Sequence, residues 1–338
     1  MTTLDDAVPT ISHPIGRRGS VAIKLASAEV RLTGSDGEGV VVRTPAGRSL
    51  PERVIVETTE SGLTIRERDA LALEFGPGKQ SVTLDIELPA EAEVGIDIAS
   101  GEIDATGLRG EQRYRTVSGD ARLHDVAGRI ELNVVSGDAD MELVGPTDLA
   151  VKSVSGDISV GGGELRSLRV GTTSGDVRID SPISGRSGNQ IDTLSGDVSL
   201  VAEAGMRIEA RTVSGDLTSD LPHRSEGRMG RRTLIVGDGS IELAFRSVSG
   251  DLQVHDARRH VGLRLPPRPP IAPAAPRMPG PGEPATDAAG SDETPEGDPT
   301  DADRMDVLRA LEAGELDVAT AMDRLAALDS RDEEPTDG

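Results

Sequence analysis

Thr116-Val117-Ser118-Gly119-Asp120 and Thr212-Val213-Ser214-Gly215-Asp216 are two copies of one phrase whose last three residues punctuate the middle of this chain. Ser-Gly-Asp stands at Ser118-Gly119-Asp120, Ser136-Gly137-Asp138, Ser155-Gly156-Asp157, Ser174-Gly175-Asp176, Ser195-Gly196-Asp197, Ser214-Gly215-Asp216 and Ser249-Gly250-Asp251. Ser100-Gly101-Glu102 is a conservative relative and Ser27-Ala28-Glu29 a worn one. From Ser100 the steps are 18, 18, 19, 19, 21, 19 and 35 residues, the last being two periods or one period with an insertion around Arg224 to Arg232. A near-constant period of this length marks a repeat architecture.

Between the tripeptides the chain alternates as strands do, with Ile130, Leu132 and Val134 and then Ala139, Met141 and Leu143. Each unit therefore holds two short strands. Further turns are marked by Gly128, Gly145 with Pro146, Gly161 to Gly163, and Gly185 with Gly188. One such coil cannot bury its apolar side alone, whereas coils stacked at the strand spacing of about 4.8 Å close a narrow continuous core. The fold expected is all-β, a β-solenoid or β-helix of 18–21-residue coils. Eight marked coils make a rod on the order of 40 Å long.

The front of the chain alternates in the same way at Val21, Ile23, Leu25, Val30 and Leu32 and at Val82, Leu84, Ile86 and Leu88. The expected division is a disordered tail over 1–16, an N-terminal β cap with the first coils over 17–95 and the repeat solenoid over 96–260. A Pro-rich then acidic linker follows over 261–303, then a helical hairpin over 304–329 and an acidic tail over 330–338. In the hairpin, Met305, Leu308 and Leu311 share one face, Gly314 breaks the run, and Leu316, Met322, Leu325 and Leu328 belong to a second helix that Asp317 can cap. Two helices so short are marginal alone, so their apolar faces are expected to drive homo-oligomerisation.

Composition narrows the function. With one Tyr, two Phe and no Trp among 338 residues, the core must be aliphatic. The net charge is −23, and residues 283–338 hold eighteen acids against four Arg. Basic residues and stacking aromatics are not concentrated in the repeats, so nucleic acid is not an expected partner. The basic stretch at Arg258, Arg259, Arg264, Arg268 and Arg277 is read as pairing with the acidic tail rather than with a membrane. The absence of cysteine, of an apolar leader and of a membrane-length apolar run points to the cytoplasm.

The repeated Thr-Val-Ser-Gly-Asp, with variants across Ser20 to Asp256, resembles the bacterial family of putative adhesin domains of unknown function. The segment Met305 to Leu328, with Leu311 to Leu316 at its turn, is similar to the short hairpins called SHOCT-like. The resemblance implies a β-solenoid joined to an oligomerisation module, and no catalytic residues.

Stacked coils would bring Asp120, Asp138, Asp157, Asp176, Asp197 and Asp216 into a file. Two carboxylates about 5 Å apart repel by about 0.8 kcal/mol even at water's dielectric. Either a cation ladder offsets this or, the reading adopted, each Asp accepts N–H bonds within its own turn while Gly takes φ > 0 and Ser caps locally. One regular Asp per coil is too few oxygens for calcium. His13, His124, His223, His255 and His260 are scattered, and no nucleophile elbow, metalloprotease helix or phosphate loop is present. A polysaccharide-cutting β-helix would need one singular cluster, so no enzyme and no cofactor are expected. The expected role is a scaffold or interaction protein with an unidentified protein partner; the alternatives are a bactofilin-like filament and an adhesin-like surface protein.

Overall fold

The computed structural model describes residues 10–45, 50–68, 81–202, 205–228 and 231–257, and every element among them is a β-strand. The linker, the proposed hairpin with Met305, Leu308, Leu311, Leu316, Met322, Leu325 and Leu328, and the acidic tail lie outside the described residues.

The long strands Ala121–Ser136, Ala139–Ser155 and Ile158–Ser174 lie side by side in parallel register, so that Ala121 meets Ala139 and Ala139 meets Ile158. Each runs across two faces of the solenoid, bending where the register slips, between Leu123 and Gly128 and between Leu143 and Pro146. The turn glycines expected from sequence serve that bend, with Gly128 at φ +96° and Gly162 at +81°. Inward positions are aliphatic and buried, as with Leu123, Ile130 and Leu132, then Met141, Leu149 and Val151. The one tyrosine is also inside, its hydroxyl donating to Gln112 Oε1 at 3.0 Å while Gln112 Nε2 donates to the Ala127 carbonyl at 2.9 Å.

The tripeptides stack at one corner. Ser27 is paired with Ser100, Ser100 with Ser118, Ser118 with Ser136, then on to Ser155, Ser174 and Ser195. The worn copy is thus a true rung. Beyond Ser195 spatial order departs from chain order, because Ser195 is paired with Ser249, and Ser249 in turn with Ser214. The 35-residue step is one coil plus an excursion. The chain forms the outermost rung with Met206–Ser214 and Leu217–Ser219, leaves for the antiparallel hairpin His223–Arg228 and Arg231–Val236, and returns to slide Ile241–Ser249 beneath that rung.

The other end is closed by the same device. Ser20–Ser35 is sandwiched between Glu93–Ser100 with Ile103–Thr106 on one side and the later strands Gly62–Glu67 and Val82–Pro89 on the other. Val54–Thr59 and Gly39–Arg43 cover that outer rung in antiparallel sense. Thr10–Pro14 pairs with Gly39–Arg43, so a strand begins inside the stretch expected to be a disordered tail. Antiparallel strands cover part of the outermost rung at each end and so shorten the open parallel edges a solenoid would otherwise offer, and the outermost strand, His223–Arg228, exposes Arg224 and Glu226 that discourage further pairing.

At the corner the glycines adopt φ between +121° and +144°, from Gly175 to Gly215, where only glycine is at ease. The space is as restrictive as the dihedral: a Cβ on Gly156 would collide with the Gly137 carbonyl oxygen, and one on Gly175 with that of Gly156. Gly156→Val is therefore expected to cost about 3 kcal/mol or more and to lower Tm by about 6–12 °C. Asp157→Asn, which keeps a carbonyl acceptor, is expected to cost less than about 1 kcal/mol. Thermal unfolding of the two variants beside the parent checks the ranking, and equal losses would break the argument.

Candidate interaction surface

The backbone ladder runs through the corner without interruption: Gly119 N–H donates to the Ser136 carbonyl at 2.9 Å and Ala121 N–H to that of Asp138 at 2.9 Å. Between them the aspartate N–H has no backbone partner on the ladder. It is taken by the aspartate of the neighbouring coil. Asp138 N–H donates to Asp120 Oδ1 at 3.1 Å, and Asp157 to Asp138, Asp176 to Asp157 and Asp197 to Asp176 at 2.9 Å each. Asp251 N–H then donates to Asp197 Oδ1 at 2.8 Å and Asp216 N–H to Asp251 Oδ1 at 2.7 Å. The acceptor thus serves the next coil rather than its own turn, which corrects the local turn expected from sequence. Asp251 also belongs in the file, between Asp197 and Asp216.

Oxygens engaged in this way are not gathered into a cation cage. Among the described residues no group of three or more His, Asp or Glu is placed to hold a metal ion. The ends of the file meet guanidinium groups instead, with Arg122 donating to Asp120 Oδ2 at 2.9 Å and Arg232 to Asp216 Oδ1 at 3.4 Å. The histidines do not converge: His13 Nε2 lies 2.6 Å from the Thr59 carbonyl, His223 Nδ1 2.9 Å from that of Leu221, and His255 Nδ1 2.9 Å from Asp220 Oδ2. His260 lies outside the described residues.

One residue ahead of each serine the side chain points outward, and apart from Thr173 this outward row is apolar. In spatial order it includes Val117, Val135, Val154, Leu194, Val248 and Val213. Exposure is highest at its C-terminal end, with 39 % at Leu194, 47 % at Val248 and 82 % at Val213 against 7 % at Val135. The cause is the closure of the C-terminal end. Arg231–Val236 covers the outermost strand only over Met206 to Arg211, so among the described residues no strand flanks Val213 on its outer side.

Beside this apolar end lies a row of arginines. Arg246 is paired in register with Arg211, and Arg211 with Arg231. Arg246 is 3.6 Å from Asp192, whereas among the described residues neither Arg211 nor Arg231 has an acidic partner within 4.0 Å. Glu209, the nearest acid along the strand, is engaged by Arg207 at 3.4 Å. Like charges directly opposite each other in a sheet are destabilising. The C-terminal end of this face thus combines exposed valine and leucine with uncompensated guanidinium groups.

Elsewhere on the two faces charges are paired and their titration reflects it. Burial alone would raise the Glu131 carboxyl, but hydrogen bonds from Arg113 at 3.2 Å and Asn133 at 3.3 Å, with the charges of Arg113 and Arg115, hold it below the ordinary value. Asp104 goes the other way: burial pushes its carboxyl up, and the positive charges of Arg122 and Arg31 recover only part of the shift. Burial likewise raises the Tyr114 phenol.

The profile of a protein family described as Toastrack DUF4097 matches residues 19–265, nearly the whole of the stacked structure. The chain belongs to the Toastrack family. The match stops at residue 265 and so does not reach the segment likened above to SHOCT-like hairpins. No curated protein matches the Toastrack chain. Among solved structures it is similar to one named a putative cell adhesion protein from Clostridium sporogenes, with 10 % identity, 74 % of this chain and 100 % of that one covered, and a TM-score of 0.27. Another is named a putative adhesin from Bacteroides fragilis, at 12 % identity, 73 % and 97 % coverage and a TM-score of 0.34. A third is named a putative lipid binding protein from Parabacteroides distasonis, at 14 % identity, 72 % and 96 % coverage and a TM-score of 0.38. The cytoplasmic expectation is withdrawn, the similar structures being named as adhesion proteins. Lack of cysteine is compatible with either compartment. The described residues of the Toastrack chain form an all-β repeat domain.

The outward apolar row was missed by sequence reasoning, although its signal is present. If Val134 faces inward, Val135 must face outward, and the same parity turns Val213 out.

The two shifted carboxyls should affect stability with opposite sign. A folded pKa below the ordinary value stabilises above that value and is lost in acid, so Glu131→Gln is expected to destabilise at pH 7, by less than about 1 kcal/mol for a partly exposed pair. The difference should close as pH falls below 4.5. For Asp104 the fold disfavours the ionised form, so Asp104→Asn is expected to raise Tm at pH 7, with the gain shrinking toward pH 3.8. Chemical denaturation at several pH values checks both signs.

Proposed function

We propose that this Toastrack chain is an adhesin-like β-solenoid that works at a cell surface and binds a macromolecular partner through the C-terminal end of its outward apolar row. The observation that carries the reading is the exposure of Val213 at 82 % and Val248 at 47 % on adjacent rungs beside Arg211 and Arg231. Rigid, regularly spaced strands present these groups at little entropic cost to a partner. The names of the similar structures agree with an adhesive task. The stacked body, over about 17–260, is the display unit in this reading, and residues 261–338 are an appendage to it.

The rival reading is an oligomeric scaffold held through Met305 to Leu328, and it rests on the sequence of that segment alone. A bactofilin-like filament is disfavoured by ends partly covered with antiparallel strands.

Beads coated with the full-length protein are expected to attach to intact cells of the bacterium that encodes it. Burying one valine is worth about 1.5–3 kcal/mol. The double variant Val213→Asp with Val248→Asp should therefore weaken attachment at least about tenfold. Its Tm should stay close to that of the parent, because both positions are exposed. Equal attachment by parent and variant, or none by the parent, would exclude this surface as the adhesive site.

A further inference from the structure

We propose that in the full chain the exposed end of this face is occupied by the protein's own segment 304–329, which competes there with the external partner. The inference rests on the reading of that face as a binding surface and names what covers it. Val213, Val248 and Leu194 offer an apolar strip, and Arg211 and Arg231 offer positive charge without acidic partners among the described residues. Segment 304–329 has the complementary chemistry. Leu308, Leu311, Leu325 and Leu328 are interspersed with Asp306, Glu312, Glu315, Asp317 and Asp323. Residues 301–338 hold twelve acids and four Arg.

Placement favours an encounter within one molecule. The last described strand, Leu252–Asp256, follows directly on Ile241–Ser249 in the coil that carries Val248. From there the tether runs over residues 258–303. A random coil of that length would span about 35–40 Å root-mean-square, and its Pro-rich first half would extend it further, so it can cross the one rung to Val213. Linkage of this kind raises the local concentration of the segment to about millimolar, so a contact too weak to form between separate molecules still forms within one. The acids would also offset the like-charge opposition of Arg211 and Arg231.

The chain has no cysteine, so an introduced pair is the sole source of thiols. In the full-length protein, Val213→Cys combined with Leu308→Cys or Leu325→Cys is expected to form an intramolecular disulfide under mild oxidation. Val144→Cys with the same partners is the control, being a 47 % exposed valine at the opposite bend, and should cross-link at least about fivefold less. Adding Arg211→Glu and Arg231→Glu should lower the Val213 yield at least about fivefold. The inference is overturned by equal yields at Val213 and Val144, by yields indifferent to the arginine reversals, or by disulfide-linked dimers as the main product, which would make a second copy the occupant. Bead attachment measured on Leu308→Asp with Leu325→Asp, which alters the segment and not the face, separates the two readings: stronger attachment than the parent's upholds both, attachment equal to the parent's removes only the intramolecular contact, and lost attachment overturns both.

Discussion

At the Ser-Gly-Asp corner backbone packs against backbone, and from Gly119 onward each glycine lies under the carbonyl of the glycine in a neighbouring coil. That proximity permits no Cβ and demands φ far into the positive region, so it is met by glycine at every corner from Gly101 to Gly250. The aspartate that follows resolves the second difficulty of the same corner, an N–H that the ladder cannot use, by offering its carboxylate across the coil boundary. These two residues act on successive coils rather than within one. The register of the whole stack is thereby set at a single edge, and the strands on either side inherit it.

A stack held in this way has a difficulty at its ends, because the last rung presents the same unpaired groups that every inner rung satisfies. The chain closes both ends by placing a rung out of order and laying antiparallel strands against the outermost one. Closure is incomplete. The covering strand at the C-terminal end stops at Arg211, two residues before Val213, and it brings Arg231 against Arg211. The exposed apolar strip and the unpaired positive charge therefore arise from the same structural feature.

The regular parts of the surface behave differently from this end. Arg113 with Glu131 and Arg122 with Glu102 pair opposite charges between neighbouring rungs, Arg122 also meets Asp120 of its own rung, and such partly exposed pairs contribute little to stability. They leave the faces polar and self-satisfied. A partner gains little from contacts already made, and most from surface that the fold has left uncompensated.

The all-β solenoid was legible because its signals are local: a tripeptide returning at a near-constant interval, and strands whose apolar residues alternate with a period of two. Even the worn turn at Ser27-Ala28-Glu29 could be recognised, because one residue type in three was retained. What the sequence could not determine was the order of the rungs. Nothing in the 35-residue interval says that Ser249 stacks on Ser195 ahead of Ser214, since strand pairing is decided by which edge is free when the coil returns. The place of Asp251 in the carboxylate file and the direction of its hydrogen bond follow from that order and were hidden with it. The surface was half legible. Alternation alone determined that Val213 faces outward, whereas its exposure depended on where a covering strand ends, a contact between residues far apart in the chain that only the tertiary structure decides.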